Sequence, residues 1–110
     1  MVELTFQTPL DAIFGSLADP TRRDMLRRLM AGDLNIGELA APYDISFAAV
    51  SKHLKVLEEA RLILKRKQGR ERIVCLAPQA LAEADDYIQQ YRQMWQDRFD
   101  SLDQYLKENP

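Results

Sequence analysis

Ile45-Ser46-Phe47-Ala48-Ala49-Val50-Ser51-Lys52-His53-Leu54-Lys55-Val56-Leu57, with the stretch from Leu62 to Leu76 behind it, decides how this chain folds. Ser46 follows the turn-forming Tyr43-Asp44, and its hydroxyl suits a helix start, where it accepts from an unpaired N–H of the first turn. Val50, Leu54, Leu57 and then Leu62 recur at helical spacing and predict the buried stripe. The opposite arc holds Ala48, Ala49, Ser51, Lys52, Lys55 and Glu59, so the outward face is short-chained and cationic in its first two turns. Downstream, Leu62-Ile63-Leu64-Lys65-Arg66-Lys67 and Glu71-Arg72-Ile73-Val74-Cys75-Leu76 flank Gln68-Gly69-Arg70, the pattern of a hairpin with a glycine-containing loop. Lys65, Arg66, Lys67, Arg70 and Arg72 cluster at its tip.

Upstream lies a second, shorter helix. Asn35-Ile36-Gly37-Glu38 has capping-box form, Pro42-Tyr43-Asp44 breaks the helix, and Ile45 is expected to re-enter the core. Short helix, tight turn, second helix and basic hairpin together form a winged helix-turn-helix pattern, in which the second helix enters a major groove. Its small side chains let the backbone approach base edges. Ala48 or Ala49 suits a thymine methyl, Ser51 gives or takes a hydrogen bond, and Lys52 and Lys55 reach phosphate or guanine acceptors. Phe47 has two readings, a methyl or sugar contact and a staple to the preceding turn. His53 also has two, a hydrogen bond bracing the helix and a phosphate contact; with no second histidine it makes a poor metal ligand.

These residues carry a family likeness. Leu17-Ala18-Asp19-Pro20-Thr21-Arg22-Arg23, Ile36-Gly37-Glu38-Leu39-Ala40, Val50-Ser51-Lys52-His53-Leu54-Lys55-Val56-Leu57 and Leu62-Ile63 with the hairpin resemble, in order, the ArsR (SmtB-like) family of winged helix-turn-helix transcriptional regulators. The resemblance implies a homodimer that binds an operator in double-stranded DNA and usually represses. It implies metal sites too: cysteines around the first helix of the reading motif, or Asp, His and Glu on the last helix. Neither set is present, since Leu34-Asn35-Ile36-Gly37-Glu38 has no thiol and Asp85, Asp86, Asp97, Asp100 and Asp103 have no histidine among them. The expectation is a regulator without metal or cofactor, and no effector is legible. Arg61 stands where the family usually has glycine, which predicts a slightly different helix exit.

The rest of the chain supports that pair. With 110 residues and net charge −2, it is expected to form one domain, and the charge argues against non-specific coating of nucleic acid. The distribution is more telling. From Lys52 to Arg72, Lys52, Lys55, Arg61, Lys65, Arg66, Lys67, Arg70 and Arg72 face only Glu58, Glu59 and Glu71, and the balance reverses from Glu83 onward. Thr8-Pro9 suits a helix start after a loose or extended lead over residues 1–7, with Leu10, Ile13, Phe14 and Leu17 as its apolar face. A second helix from Asp19-Pro20 turns Met25, Leu26, Leu29 and Met30 inward. Its Arg22 and Arg23 suit a DNA backbone, a dimer ion pair or solvent, and its Arg27 and Arg28 a structural role. A long last helix, with a possible restart near residues 82–86, repeats Leu81, Ala84, Ile88, Tyr91, Trp95, Phe99, Leu102 and Leu106.

The expected architecture is mainly α, about five helices and a two-stranded wing in the order α-α-α-α-β-β-α. Residues 8–17 and 79–108 form dimerisation helices, 35–57 the helix-turn-helix and 62–76 the wing. The expected dimer face is Leu10, Ile13, Phe14, Leu17, Ile88, Tyr91, Trp95, Phe99, Leu102 and Leu106; the expected DNA contacts are Ser46, Phe47, Ala48, Ala49, Ser51, Lys52, His53, Lys55, Lys65, Arg66, Lys67, Arg70 and Arg72. One cysteine excludes an internal disulfide, and no leader or long apolar run is seen, so a cytoplasmic setting without a membrane is expected. Cys75 reads either as a small inward residue or as a reactive thiol between Arg72 and Lys65, which would make a thiol-responsive repressor. A winged module that contacts proteins instead of DNA is the other alternative. An enzyme is not expected: with one His and one Cys the chain lacks a catalytic triad, phosphate loop or dinucleotide fingerprint.

Overall fold

The computed structural model describes residues 9–109, so the expected lead and the Thr8 cap lie outside the described residues. The elements run α1 (Pro9–Leu17), α2 (Pro20–Leu29), β1 (Leu34–Asn35), α3 (Ile36–Ala40), α4 (Phe47–Glu59), β2 (Ile63–Gln68), β3 (Glu71–Leu76) and α5 (Pro78–Glu108). Five helices surround a small antiparallel sheet. Its strand order is β1-β3-β2, so the wing has three strands where the sequence predicted two. The added strand is two residues long, pairs Leu34 with Val74 and Asn35 with Ile73, and is too short to show a period of two.

Local chemistry sets most of the boundaries. Asp19 caps α2, accepting from the Arg22 N–H at 3.0 Å, and Pro20 occupies a first-turn position where a missing N–H costs nothing. Asn35 and Glu38 form the expected capping box of α3, and Ser46 Oγ accepts from the Ala49 N–H at 3.1 Å to start α4. At the far end of α4, Arg61 N–H reaches the Glu58 carbonyl and Leu62 N–H the Leu57 carbonyl, a Schellman closure whose left-handed position is Arg61 at φ 61°. The expected change of helix exit is therefore corrected. Arg61 adopts the conformation that glycine favours, because Leu57 and Leu62, both fully buried, pull the chain inward on either side of it.

Val50, Leu54 and Leu57 of α4 meet Ile13, Met25, Leu29, Leu39, Ile63 and Val74 in one core. Two expected core assignments and one expected dimer contact change. Met30 is 76% exposed because α2 ends at Leu29, and Ile45, at 41%, stays on the surface beside the Ser46 cap. Ile13 has no exposed surface and belongs to the protomer's own core, not to an outer dimer face. Contact of α1 with α2, α4 and α5 turns that side chain inward.

The arginines of α2 act as caps for its neighbours. Arg22 donates to the Ser16 and Gly15 carbonyls and Arg23 to the Leu17 carbonyl, all in the last turn of α1. Arg28 donates to the Glu38 and Leu39 carbonyls at the end of α3 and lies over the Tyr43 ring, whose hydroxyl bonds Asp24 at 2.7 Å. Carbonyls at helix ends lack intrahelical donors and carry partial negative charge, so cations placed there stabilise both helices. Arg27 pairs with Asp24.

Candidate nucleic-acid interface

Helix α4 presents Ala48, Ser51, Lys52, Lys55 and Glu59 to solvent, with Ala49 half-buried behind them. Phe47 is 66% exposed, so it does not staple the helix to the preceding turn. It borders an open cleft of about 440 Å³ with Ile36, Gly37, Arg70 and Arg72, between the start of α4, the start of α3 and the tip of the hairpin. Asn35 Nδ2 donates to Glu71 at 3.2 Å and ties the α3 cap to the same tip.

The hairpin turns over Gly69-Arg70 alone, because Gln68 pairs with Glu71, so the predicted three-residue loop is one residue shorter. Gly69 at φ 62° takes the first central position, where a tight hairpin turn needs positive φ. Pairing of Ile63 with Leu76, Lys65 with Val74 and Lys67 with Arg72 places these six residues on one face. Ile63 and Val74 are fully buried, so this face turns toward the helical body. The other face carries Leu64, Arg66, Ile73 and Cys75.

This geometry divides the five wing cations. Lys65 Nζ lies 3.6 Å from Glu58 of α4, and Arg66 Nη1 lies 2.9 Å from Asp33, whose hydrogen bond strengthens the hold of the guanidinium on its proton. Those two side chains brace the wing, and their expected place at a free tip is corrected. Glu58 and Asp33 were invisible as partners because Glu58 comes from α4 and Asp33 from the connection before β1. Among the described residues, Lys67, Arg70, Arg72, Lys52 and Lys55 have no ion-pair partner. Lys67 and Arg72 are also direct cross-strand neighbours. Like charges so placed repel.

His53 and Cys75 change neighbours. Nδ1 of His53 is 3.2 Å from Arg22 Nη1 and 3.9 Å from Asp19, with the side chain 21% exposed. Of its two readings, the bracing hydrogen bond is the one the structure shows. Cys75 is half-buried on the outer sheet face, 3.6 Å from the Leu64 carbonyl and near Arg66; Lys65 and Arg72 sit on the opposite face.

The face that would hold a second copy lies on α1 and α5. Phe14 meets Tyr87 edge-on at 5.8 Å, and Tyr87 meets Tyr91 at 5.3 Å, their hydroxyls hydrogen-bonded at 2.9 Å. Leu10 and Leu17 are half-buried, whereas Ile88, Tyr91, Trp95, Phe99, Leu102 and Leu106 are 43 to 61% exposed. Only Ala80 and Ala84 of α5 are buried, and the helix runs unbroken through residues 82–86. No helix of the described residues is long and apolar enough to cross a membrane.

The profile of the bacterial regulatory protein arsR family matches residues 19–65, from the α2 cap to the first wing strand. The chain is 46% identical over 78 residues to the HTH-type transcriptional regulator Rv2034 of Mycobacterium tuberculosis, covering 71% of this chain and 72% of that one. This protein belongs to the ArsR family. Other ArsR-type relatives agree: it is 35% identical over 60 residues to the transcriptional repressor SdpR of Bacillus subtilis, covering 54% of this chain and 67% of that one. The crystal structure of the ArsR family transcriptional regulator RHA00566 superposes with a TM-score of 0.76 at 34% identity, over 81% of this chain and 98% of that one. The fold is thus the winged helix of ArsR-family transcriptional regulators, a DNA-binding family.

Proposed function

We propose that this ArsR-family regulator is a homodimeric, cytoplasmic repressor that reads a pseudo-palindromic duplex operator and does not sense metal. One observation carries the reading. Lys67 and Arg72 stand opposite each other, unpaired among the described residues, on the wing face turned toward the helical body that includes α4. Two like charges held side by side cost stability unless an anion lies between or beside them. A phosphate backbone supplies that anion.

In this reading Lys67, Arg70 and Arg72 displace counterions and position the protein, which makes affinity steeply salt-dependent. Ala48, Ala49, Ser51, Lys52 and Lys55 face base edges, and exposed Phe47 is placed to reach a thymine methyl. Ser46 holds the helix start against the groove. Phe14 with the α5 stripe takes the second copy, and a two-fold axis then sets the two reading helices about 34 Å apart, one turn of duplex.

The thiol alternative loses the two cations it was built on, because Lys65 and Arg72 face away from Cys75, and the one cation left beside it, Arg66, is paired with Asp33. Metal sensing lacks its residues: α3 and its flanks have no thiol, and the α5 carboxylates have no histidine among them.

Selection of bound fragments from a random duplex pool by the purified protein tests the proposal. An inverted repeat with half-site centres about 10 base pairs apart is expected. No saturable binding to any duplex at about 50 mM salt, where phosphate contacts are strongest, would sink it.

A further inference from the structure

Arg22 does none of the things that a place on a polar helix face offers it. A guanidinium is a flat, rigid fork of five N–H donors, and this one spends its edges on two different helices. Nε–H donates to the Ser16 carbonyl at 2.7 Å and Nη2–H to the Gly15 carbonyl at 3.2 Å, both at the C-terminal end of α1. Nη1 lies 3.2 Å from Nδ1 of His53 in the middle of α4. One side chain thus bolts the end of α1 to the helix that carries Lys52.

The direction of the third bond follows from its chemistry. A guanidinium has no acceptor, so in this bond Nδ1 accepts, which puts the ring proton on Nε2. Asp19, which caps α2, lies 3.9 Å from the same nitrogen, so α2 meets α4 at this point as well. Arg22, His53 and Asp19 are each half-buried, at the junction of α1, α2 and α4.

We infer that Arg22 is a positioning residue: through His53 it holds α4 at one angle to α1, and in the dimer that angle selects operators by half-site spacing. The inference rests on the homodimeric, duplex-reading proposal. With α1 on the dimer face, any swing of α4 relative to α1 changes the separation of the two reading helices. A stiff joint accepts one spacing. A loose one accepts several.

Two variants of the full chain test it. His53→Leu deletes the acceptor; Arg22→Lys keeps a cation at the end of α1 but lacks a fork to span both helices. Each is titrated against the duplex selected by the wild type, the same duplex with one base pair inserted between half-sites, and an isolated half-site. The wild type is expected to lose about tenfold in affinity on the insertion, the worth of one lost charged contact, and both variants less than about threefold. Arg22→Lys is expected to bind the isolated half-site within about twofold of the wild type, with the dimer intact by sedimentation. His53→Asn, whose Oδ1 stands in for Nδ1, is expected to restore the discrimination. Undiminished spacing discrimination in either variant, provided that it melts cooperatively as a dimer, overturns the inference and leaves the dimeric reading standing, as does failure of His53→Asn to restore a loss. A wild type that is monomeric, or binds no duplex, overturns the reading itself.

Discussion

At the scale of the residue, Asp19 shows how a cap is also a titrating group. The Arg22 N–H donates to its carboxylate, and the Arg22 side chain adds positive charge, so its pKa falls below the usual 3.8 against an opposing effect of burial that is smaller than the hydrogen bond. A carboxyl depressed in the folded state stabilises above its unfolded pKa, and that stability is lost as pH falls through the folded value. Asp19→Asn keeps a good cap without the charge, so melts from pH 7 to pH 3 are expected to match the wild type within about 1 kcal/mol at neutrality and to fall less steeply below about pH 4. Arg61 bears a different strain. Its left-handed conformation costs a non-glycine residue about 1 kcal/mol, and its pair with Glu83 at 3.0 Å is exposed and weak. Arg61→Gly is expected to raise the melting temperature by about 4 °C in a thermal scan. The caps at Ser46 and Asn35 were legible in the sequence, because each bonds three residues away. Arg22, Arg23 and Arg28 were not, since their carbonyls lie six to eleven residues off and only packing brings them near.

At the scale of the element, the proposed function divides the labour of binding between α4 and the hairpin. Lys52 is on the reading helix and Lys67 on the wing, and neither has an ion-pair partner among the described residues. Lys52→Ala is expected to weaken specific binding more than non-specific binding. Lys67→Ala should weaken both and lower the slope of log affinity against log salt by about one unit. Equal losses across sequences for both variants, in titrations at three salt concentrations, would mean that the reading face is misassigned. The period of α4 and the alternation of the hairpin were legible, because Val50, Leu54 and Leu57 repeat at one spacing and Ile63 and Val74 anchor one face. Which cations are free was not. Glu58 and Asp33 pair with Lys65 and Arg66 from parts of the chain that sequence order does not align with them.

At the scale of the whole molecule, the shape is what the proposed dimer has to account for. The radius of gyration is 19.3 Å, where a compact domain of this size has about 13 Å, and the longest extent is 68 Å. The excess is α5, whose 31 residues run far beyond Ala84, its last buried residue. Trp95 and Phe99, ring centroids 6.1 Å apart, lie on that projecting part 53 and 61% exposed, with Arg98 6.0 Å from the Trp95 ring. Trp95→Asp is expected to give monomers with little operator affinity, and sedimentation that still shows dimers would count against this interface. Ile13→Ala is expected to act otherwise: it removes a fully buried core side chain and should cost about 2 to 5 kcal/mol in denaturant unfolding, whatever the oligomeric state.

Sequence alone determined the helices, the hairpin, the caps of α3 and α4 and the small, cationic outer face of α4, because each depends on neighbours within a turn or two or on a period written along the chain. Tertiary structure alone decided that β1 joins the wing, that Ile13 faces inward, that α2 caps its neighbours with arginine, and that Lys65, Arg66 and His53 are engaged within the protomer. Those outcomes depend on groups far apart in the chain. A charged or apolar side chain has no fixed partner until folding sets which surfaces meet, and that is decided by how whole elements pack.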